Sequence, residues 1–147
     1  MAHSFISSYF HLVWSTKQRI KLIRPEKQKR LYQYMSAIAR NHKMKCYAIG
    51  GMADHIHILA SLPSDLAAAK AINILKANSS KWMRGEDRRF GWQEGYGAFT
   101  VSASNVSTVC RYIENQEQHH RKRTFEDEFM ALLDKHGVEY DPKYVFD

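Results

Sequence analysis

His55, Ile56 and His57 stand at the head of an apolar run that continues to Leu62, and no other stretch constrains the chain as tightly. In an extended strand alternate side chains leave on the same face, so both imidazoles point one way while Ile56, Ile58 and Ala60 point the other. At a rise of about 3.3 Å per residue the two histidine Cα atoms lie roughly 6.5 Å apart, close enough for their rings to converge on one ion. Polar rings inside an otherwise apolar strand must be hydrogen-bonded, ligated or exposed. Two of them on one face make half of a metal site, on a strand whose other face belongs to a core.

A third ligand has to come from elsewhere, and the best candidate lies on a helix predicted to follow Ser104 or Asn105, either of which can cap it. Tyr112 and Gln116 are four residues apart and project from the same side of successive turns, with His119 on the same flank. Val106, Val109, Cys110 and Ile113 form that helix's core stripe. A tyrosine beside a divalent metal can attack phosphorus while the metal polarises a phosphoryl oxygen, keeping the energy of the broken bond in a tyrosyl phosphodiester. His119 and His120 offer phosphate contacts or an alternative ligand, and His11 in the first strand can back the site from behind. Competing chemistries lack their residues. A His-x-His-x-His hydrolase would need a histidine where Leu59 stands, and neither a Gly-rich phosphate loop nor a carboxylate cluster is present.

The remaining segments frame this pair of elements. Ser8 to Ser15 alternates as a first strand and ends at the polar Thr16-Lys17-Gln18-Arg19. Pro25 opens a helix to about Asn41, and Cys46 to Met52 makes a second strand. Gly50 and Gly51, with Asp54, read as the hairpin connection to the histidine strand. Pro63-Ser64-Asp65 ends that strand, with Ser64 or Asp65 as N-cap for a helix from about Leu66 to Met83. Trp92 to Ser102 reads as a strand in which Gly95 and Gly97 mark a bend or a close approach. Phe125 to His136 forms a short amphipathic helix, and the tail to Asp147 carries no strong pattern. The order β-α-β-β-α-β-α predicts an α+β fold: a four-stranded antiparallel sheet with its two crossover helices on one face, ferredoxin-like, and the tyrosine helix against the other side. At 147 residues a single domain over 1–147 is expected.

A formal charge of +7 and a pI near 9.5 favour a polyanionic partner, nucleic acid above all. Lys70, Lys76, Lys81 and Arg84 lie off the stripe of Ala68, Ile72, Leu75, Ser79 and Trp82, as a basic face or as a solvated surface. Cys46 and Cys110 match neither a zinc spacing nor a disulfide framework and are expected to be reduced. No apolar stretch approaches the roughly 18 to 20 residues that span a bilayer, and the opening Met1-Ala2-His3-Ser4-Phe5 does not read as an export signal. The expected setting is cytoplasmic, with no membrane partner.

Four ordered blocks carry a family resemblance: Phe10-His11-Leu12-Val13-Trp14-Ser15-Thr16-Lys17; Asp54-His55-Ile56-His57; the run from Trp92 to Ser102; and Tyr112-Ile113-Glu114-Asn115-Gln116. Together they resemble the HUH single-tyrosine transposases of the insertion-sequence-200/605 group, U standing for a hydrophobic residue. The resemblance covers most of the chain. It implies a homodimer acting on single-stranded DNA with hairpins, a divalent metal (Mg²⁺ or Mn²⁺) held by His55, His57 and Gln116, and Tyr112 as the nucleophile that forms a 5′-phosphotyrosine and frees a 3′-hydroxyl. It also implies that the tyrosine helix of one subunit completes the histidine site of the other, although Ala103 and Ser104 stand where some relatives have glycines. Lys17, Arg19, Lys70, Lys76, Lys81, Arg84, His119, His120, Arg121, Lys122 and Arg123 are the expected DNA contacts. The alternative is a non-catalytic or domesticated protein of the same fold that binds single strands or hairpins.

Overall fold

Four alternating segments pair into one sheet: β1 (Tyr9–Ser15), β2 (Lys45–Met52), β3 (His55–Ser61) and β4 (Gly97–Val101). In the computed structural model, which describes residues 3–146, their order is β2-β3-β1-β4 with every pair antiparallel. Met1, Ala2 and Asp147 of the expected 1–147 domain lie outside the described residues. The histidine strand β3 is interior, as its two-faced pattern requires.

One face of the sheet carries the crossover helices α1 (Pro25–Asn41) and α2 (Ala68–Arg84). Leu12 and Trp14 from β1 and Ile56, Ile58 and Ala60 from β3 pack there against Leu31, Met35, Ile72 and Leu75. Each such large side chain contributes roughly 1.5–3 kcal/mol by leaving water. The opposite face carries α3 (Val106–Glu114), α4 (Gln116–His119) and α5 (Phe125–Lys135). Ile113 of α3 packs on Ala48 and Leu59, while Phe125, Phe129 and Leu133 of α5 pack on Val13 and Phe99. The tail joins this second layer through Tyr140, Val145 and Phe146. Both cysteines are free and half-buried, and burial pushes the Cys46 thiol up to about 11.

Several local expectations are corrected. Gly50 and Gly51 are not the hairpin turn; they lie inside β2, and Ala53-Asp54 makes the turn. A Cβ on Gly50 would fall 2.2 Å from the Ile113 carbonyl oxygen, and one on Gly51 2.2 Å from the His55 carbonyl oxygen. Close approach, not backbone conformation, therefore demands glycine here. Helix α2 starts at Ala68 without a side-chain cap from Ser64 or Asp65, because the Leu66 N–H first closes a turn onto the Pro63 carbonyl (3.2 Å). Asn105 occupies the N-cap position of α3 but makes no capping bond; a turn of 3₁₀-helix at Ala103–Asn105 precedes it. The predicted strand over Trp92–Ser102 shrinks to Gly97–Val101, with Trp92 bridging only to Thr16. The Lys76 ammonium draws the carbonyls of Gln93 (2.8 Å) and Gly95 (2.8 Å) to itself, away from any ladder. Gly97 does mark a close approach, since a Cβ there would lie 2.8 Å from the Phe129 ring.

Gly50→Ala is expected to push α3 off β2 and lower stability by about 2 kcal/mol or more, whereas Gly95→Ala, whose Cβ meets only the Gln93 side chain at an ordinary 3.6 Å, stays within about 0.5 kcal/mol. Urea denaturation midpoints of the two variants test this; equal midpoints would remove the close-approach argument.

Candidate active site

The β1–β3 register sets Val13 opposite His57 and His11 opposite Leu59. His11 thus lies diagonal to His57, within reach for a long or aromatic side chain. Its Nε2 stands 2.7 Å from His57 Nδ1. On the neighbouring position His55 Nδ1–H donates to Asp54 Oδ1 at 2.7 Å. Asp54 is held in turn by its carbonyl, which accepts the Thr16 N–H at 2.9 Å. Both rings are therefore tied at Nδ1 and present Nε2 outward, which is how partners behind a ligating histidine fix its orientation. Burial, and then the neighbouring His57, lowers the pKa of His11 well below the usual histidine value. Burial likewise brings His57 down to about 4 against the opposing pull of Glu128. His57 is neutral, the form in which imidazole ligates a metal.

Glu128 closes the arrangement. Thr124 caps α5 by accepting the Asp127 N–H, and the acidic first turn that follows suits the helix N-terminus. That turn places Glu128 beneath the sheet's second face, fully buried. Its Oε1 lies 2.9 Å from His57 Nε2, 3.1 Å from His120 Nε2 and 3.5 Å from His55 Nε2. Its Oε2 accepts from Gln116 Nε2 at 3.1 Å and from the Tyr112 hydroxyl. Burial works to raise the pKa of this carboxyl, but the hydrogen bonds from His120 and His57 outweigh it and hold Glu128 well below the usual carboxylate range. The carboxylate is ionised, and each of its oxygens is used.

Tyr112 sits at the edge of this cluster. Its ring stacks on His119 with centroids 4.4 Å apart, and its oxygen accepts from Arg123 Nη2 at 3.2 Å. Burial first, then the Glu128 charge, raises the phenol's pKa above the usual tyrosine value, and Arg123 acts in the opposite direction. The single helix expected to carry Tyr112 and Gln116 is broken at Asn115, which ends α3 and precedes α4. The break turns Gln116 inward: it is buried, and its Oε1 stands 2.9 Å from His55 Nε2.

The donor chemistry fits a divalent ion. His55, His57 and Glu128 are all buried and offer one ligand atom each, all within 4.8 Å of one another. Two imidazoles and a carboxylate form a set common to divalent transition metals, and Gln116 adds an amide oxygen beside them. A sequence model of the family described as "Transposase IS200 like" matches residues 4–116. The chain belongs to the IS200-like transposase family.

The chain is similar to known transposases over most of its length. The chain is 26% identical over 115 residues to the ISDra2 transposase TnpA of Deinococcus radiodurans, covering 73% of this chain and 82% of that one. It is 24% identical over 125 residues to the transposase for insertion sequence element IS200 of Salmonella typhimurium, covering 79% and 81%. A REP-associated tyrosine transposase, solved bound to a REP hairpin, has the same fold at a TM-score of 0.63 and 13% identity, covering 100% of this chain and 93% of that one.

Within this IS200-like chain the sequence-derived site residues separate into two groups. His55, His57, Tyr112 and Gln116 meet in one cluster of this chain. His120, expected as a DNA contact, borders the basic groove and also reaches the cluster: its Nδ1 lies 2.9 Å from the Arg123 carbonyl and its Nε2 meets Glu128. His119 serves as the stacking partner of Tyr112. Arg121, Lys122 and Arg123 are exposed along a groove of about 790 Å³ that also takes in Gln18, Lys21 and Asp54. Arg19 borders it too, over the Phe146 ring and 3.9 Å from Glu126. Lys17 lies in the same short turn after β1, its N–H bonded to the Gly91 carbonyl. Lys70, Lys76, Lys81 and Arg84 belong to α2 on the opposite face of the sheet, and the Lys76 ammonium holds the loop carbonyls at 93–95.

Glu128 is the residue that sequence reasoning missed. A signal was present: Phe125, Glu128, Phe129 and Leu132 follow the i, i+3, i+4, i+7 pattern, so an acid stands on the apolar stripe. Glu128→Ala strips the acceptor from two imidazoles, a phenol and an amide, and is expected to cost about 3 kcal/mol. His119→Ala loses one ring stack and should cost about 1 kcal/mol. Chemical denaturation of both variants checks the contrast, and a Glu128→Ala midpoint no lower than that of His119→Ala would refute the hub.

Proposed function

We propose that this chain, as a single domain, cleaves and rejoins single-stranded DNA at hairpin-bearing ends through a 5′-phosphotyrosine formed on Tyr112. The observation that carries the reading is the shared carboxylate: Glu128 bonds the Tyr112 hydroxyl through one oxygen and His57 through the other. A nucleophile and a set of metal donors are thereby held within one hydrogen bond of a common group. Membership of a transposase family, the +7 charge, and a relative of the same fold bound to a hairpin support DNA hairpins as the partner.

A divalent ion, Mg²⁺ or Mn²⁺, would be held by His55, His57 and Glu128 with Gln116 beside them, and when bound it supplies Lewis-acid polarisation of a phosphoryl oxygen. The protein's own groups account for the rest. The Tyr112 oxygen forms the new bond to phosphorus, the P–O3′ bond breaks, and its electron pair stays on the 3′ oxygen, which takes up a proton as a free hydroxyl. Glu128 Oε2 stands where the phenol proton leaves, and Arg123 stabilises the developing phenolate. His11 and Asp54 keep the two imidazoles aimed. Since one chain supplies all these residues, cleavage within one subunit is the simpler assembly, and a homodimer would serve to hold two DNA ends. Among the described residues no helix is long and apolar enough to cross a membrane.

Incubation with labelled single-stranded DNA from the gene's flanks and Mg²⁺ or Mn²⁺ is expected to give a denaturant-resistant protein–DNA adduct. Tyr112→Phe should abolish the adduct and leave hairpin binding intact, and chelation or the pair His55→Ala/His57→Ala should abolish it as well. An adduct that survives Tyr112→Phe would exclude this nucleophile. Salt-sensitive binding with no adduct on any flanking sequence would establish the non-catalytic hairpin-binding reading instead.

A further inference from the structure

A second hollow lies against Tyr112 and adjoins the basic groove at Arg123. Between α3 and α5, over β1 and β4, a cavity of about 370 Å³ is bounded by the Tyr112 ring. Val101, Val109 and Leu132 give it apolar surface, Asn105 contributes an amide, and Arg123 and Lys135 add two cations. This volume falls at the small end of ligand sites, suited to one base or nucleoside. Nearby, His136 stacks on Phe99 with centroids 4.5 Å apart, which stiffens part of the lining.

Arg123 ties this cavity to the reaction. Its side chain borders both the cavity and the basic groove, and its Nη2 bonds the Tyr112 oxygen at 3.2 Å. A strand whose phosphate reaches Tyr112 therefore has two places to lay its neighbouring groups. The groove, with Lys21, Arg121 and Lys122, matches a phosphate backbone. The cavity joins the aliphatic side chains of Val101, Val109 and Leu132 to the Asn105 amide, which can pair with a base edge. An unpaired strand offers its bases without the cost of opening a duplex.

We propose that the cavity between α3 and α5 receives the base of a nucleotide adjoining the scissile phosphate, and so contributes to the choice of cleavage site. The proposal rests on the phosphoryl-transfer reading of Tyr112 and adds a substrate subsite to it. His55, His57 and Gln116 do not border this cavity but Glu128 and His11 do, so the subsite is altered at Ala131 and Asn105, which are neither candidate ligands nor partners of one.

The probe is a flanking-DNA hairpin strand carrying 2-aminopurine at successive positions, bound to the Tyr112→Phe protein so that it stays uncleaved. One position next to the cleaved bond is expected to change its fluorescence on binding, and Ala131→Phe, which fills the cavity from α5, should cancel that change. In the protein that keeps Tyr112, Ala131→Phe should slow adduct formation about a hundredfold through misplacement of the phosphate. An abasic residue at that same position should relieve the defect, because no base then competes with the new ring. Asn105→Ala, at an exposed site that the fold tolerates, should alter the base preferred there. Equal slowing on normal and abasic strands, or an Asn105→Ala protein with unchanged base preference and no position-specific fluorescence change, would overturn the subsite. If the unaltered protein forms no adduct, the phosphoryl-transfer reading fails, while the fluorescence of the bound strand still decides whether the cavity takes a base.

Discussion

A buried carboxylate has to be compensated where it lies, and in this chain that requirement organises the second face of the sheet. Glu128 is stable at full burial because imidazoles from β3 and from the segment after α4, an amide from α4 and a phenol from α3 all reach it. Helix α5 therefore cannot dock as a merely apolar stripe. Its Phe125 and Phe129 supply the area, and Glu128 fixes the register, since a shift of one turn would bury the charge against aliphatic surface. The same contacts bring the tyrosine and the histidines of the IS200-like chain into one place.

The sheet contributes through its alternation and its order. With β3 and β1 both interior, the face opposite α1 and α2 is shielded from water, so His11, His55 and His57 are all buried. Burial keeps His11 and His57 neutral, and the contacts at Nδ1 of His55 and His57 leave Nε2 of each ring turned toward Glu128. Gly50 adds a steric condition, because only a residue without a side chain lets the backbone of α3 lie directly on β2. The position of Tyr112 thus depends on a glycine in a strand that carries none of the chemistry.

Charge is divided unevenly between the two layers. Arg121, Lys122 and Arg123 follow the α4 segment and line the groove beside the site. The cations of α2 lie behind the sheet, and Lys76 is engaged with backbone carbonyls. Net charge read from composition indicates attraction to a polyanion, but only the layer a cation occupies decides whether it can meet the same strand as Tyr112.

Periodicity made much of this legible. Two-residue alternation identified the strands and aimed His55 and His57 together, four-residue spacing joined Tyr112 to Gln116, and the sequence of elements implied the antiparallel sheet, because these are local regularities that a chain carries wherever it folds. His11 could be placed behind the site for the same reason, being on the parallel alternation of β1. What the chain could not declare locally was decided by tertiary contact. Gly50 and Gly51 look like turn residues until α3 crosses them, Asn115 looks helical until Gln116 must turn inward, and Glu128 looks like a first-turn acid until three imidazoles converge on it. Each depends on elements far apart in sequence, whose meeting is set by packing and burial rather than by any spacing along the chain.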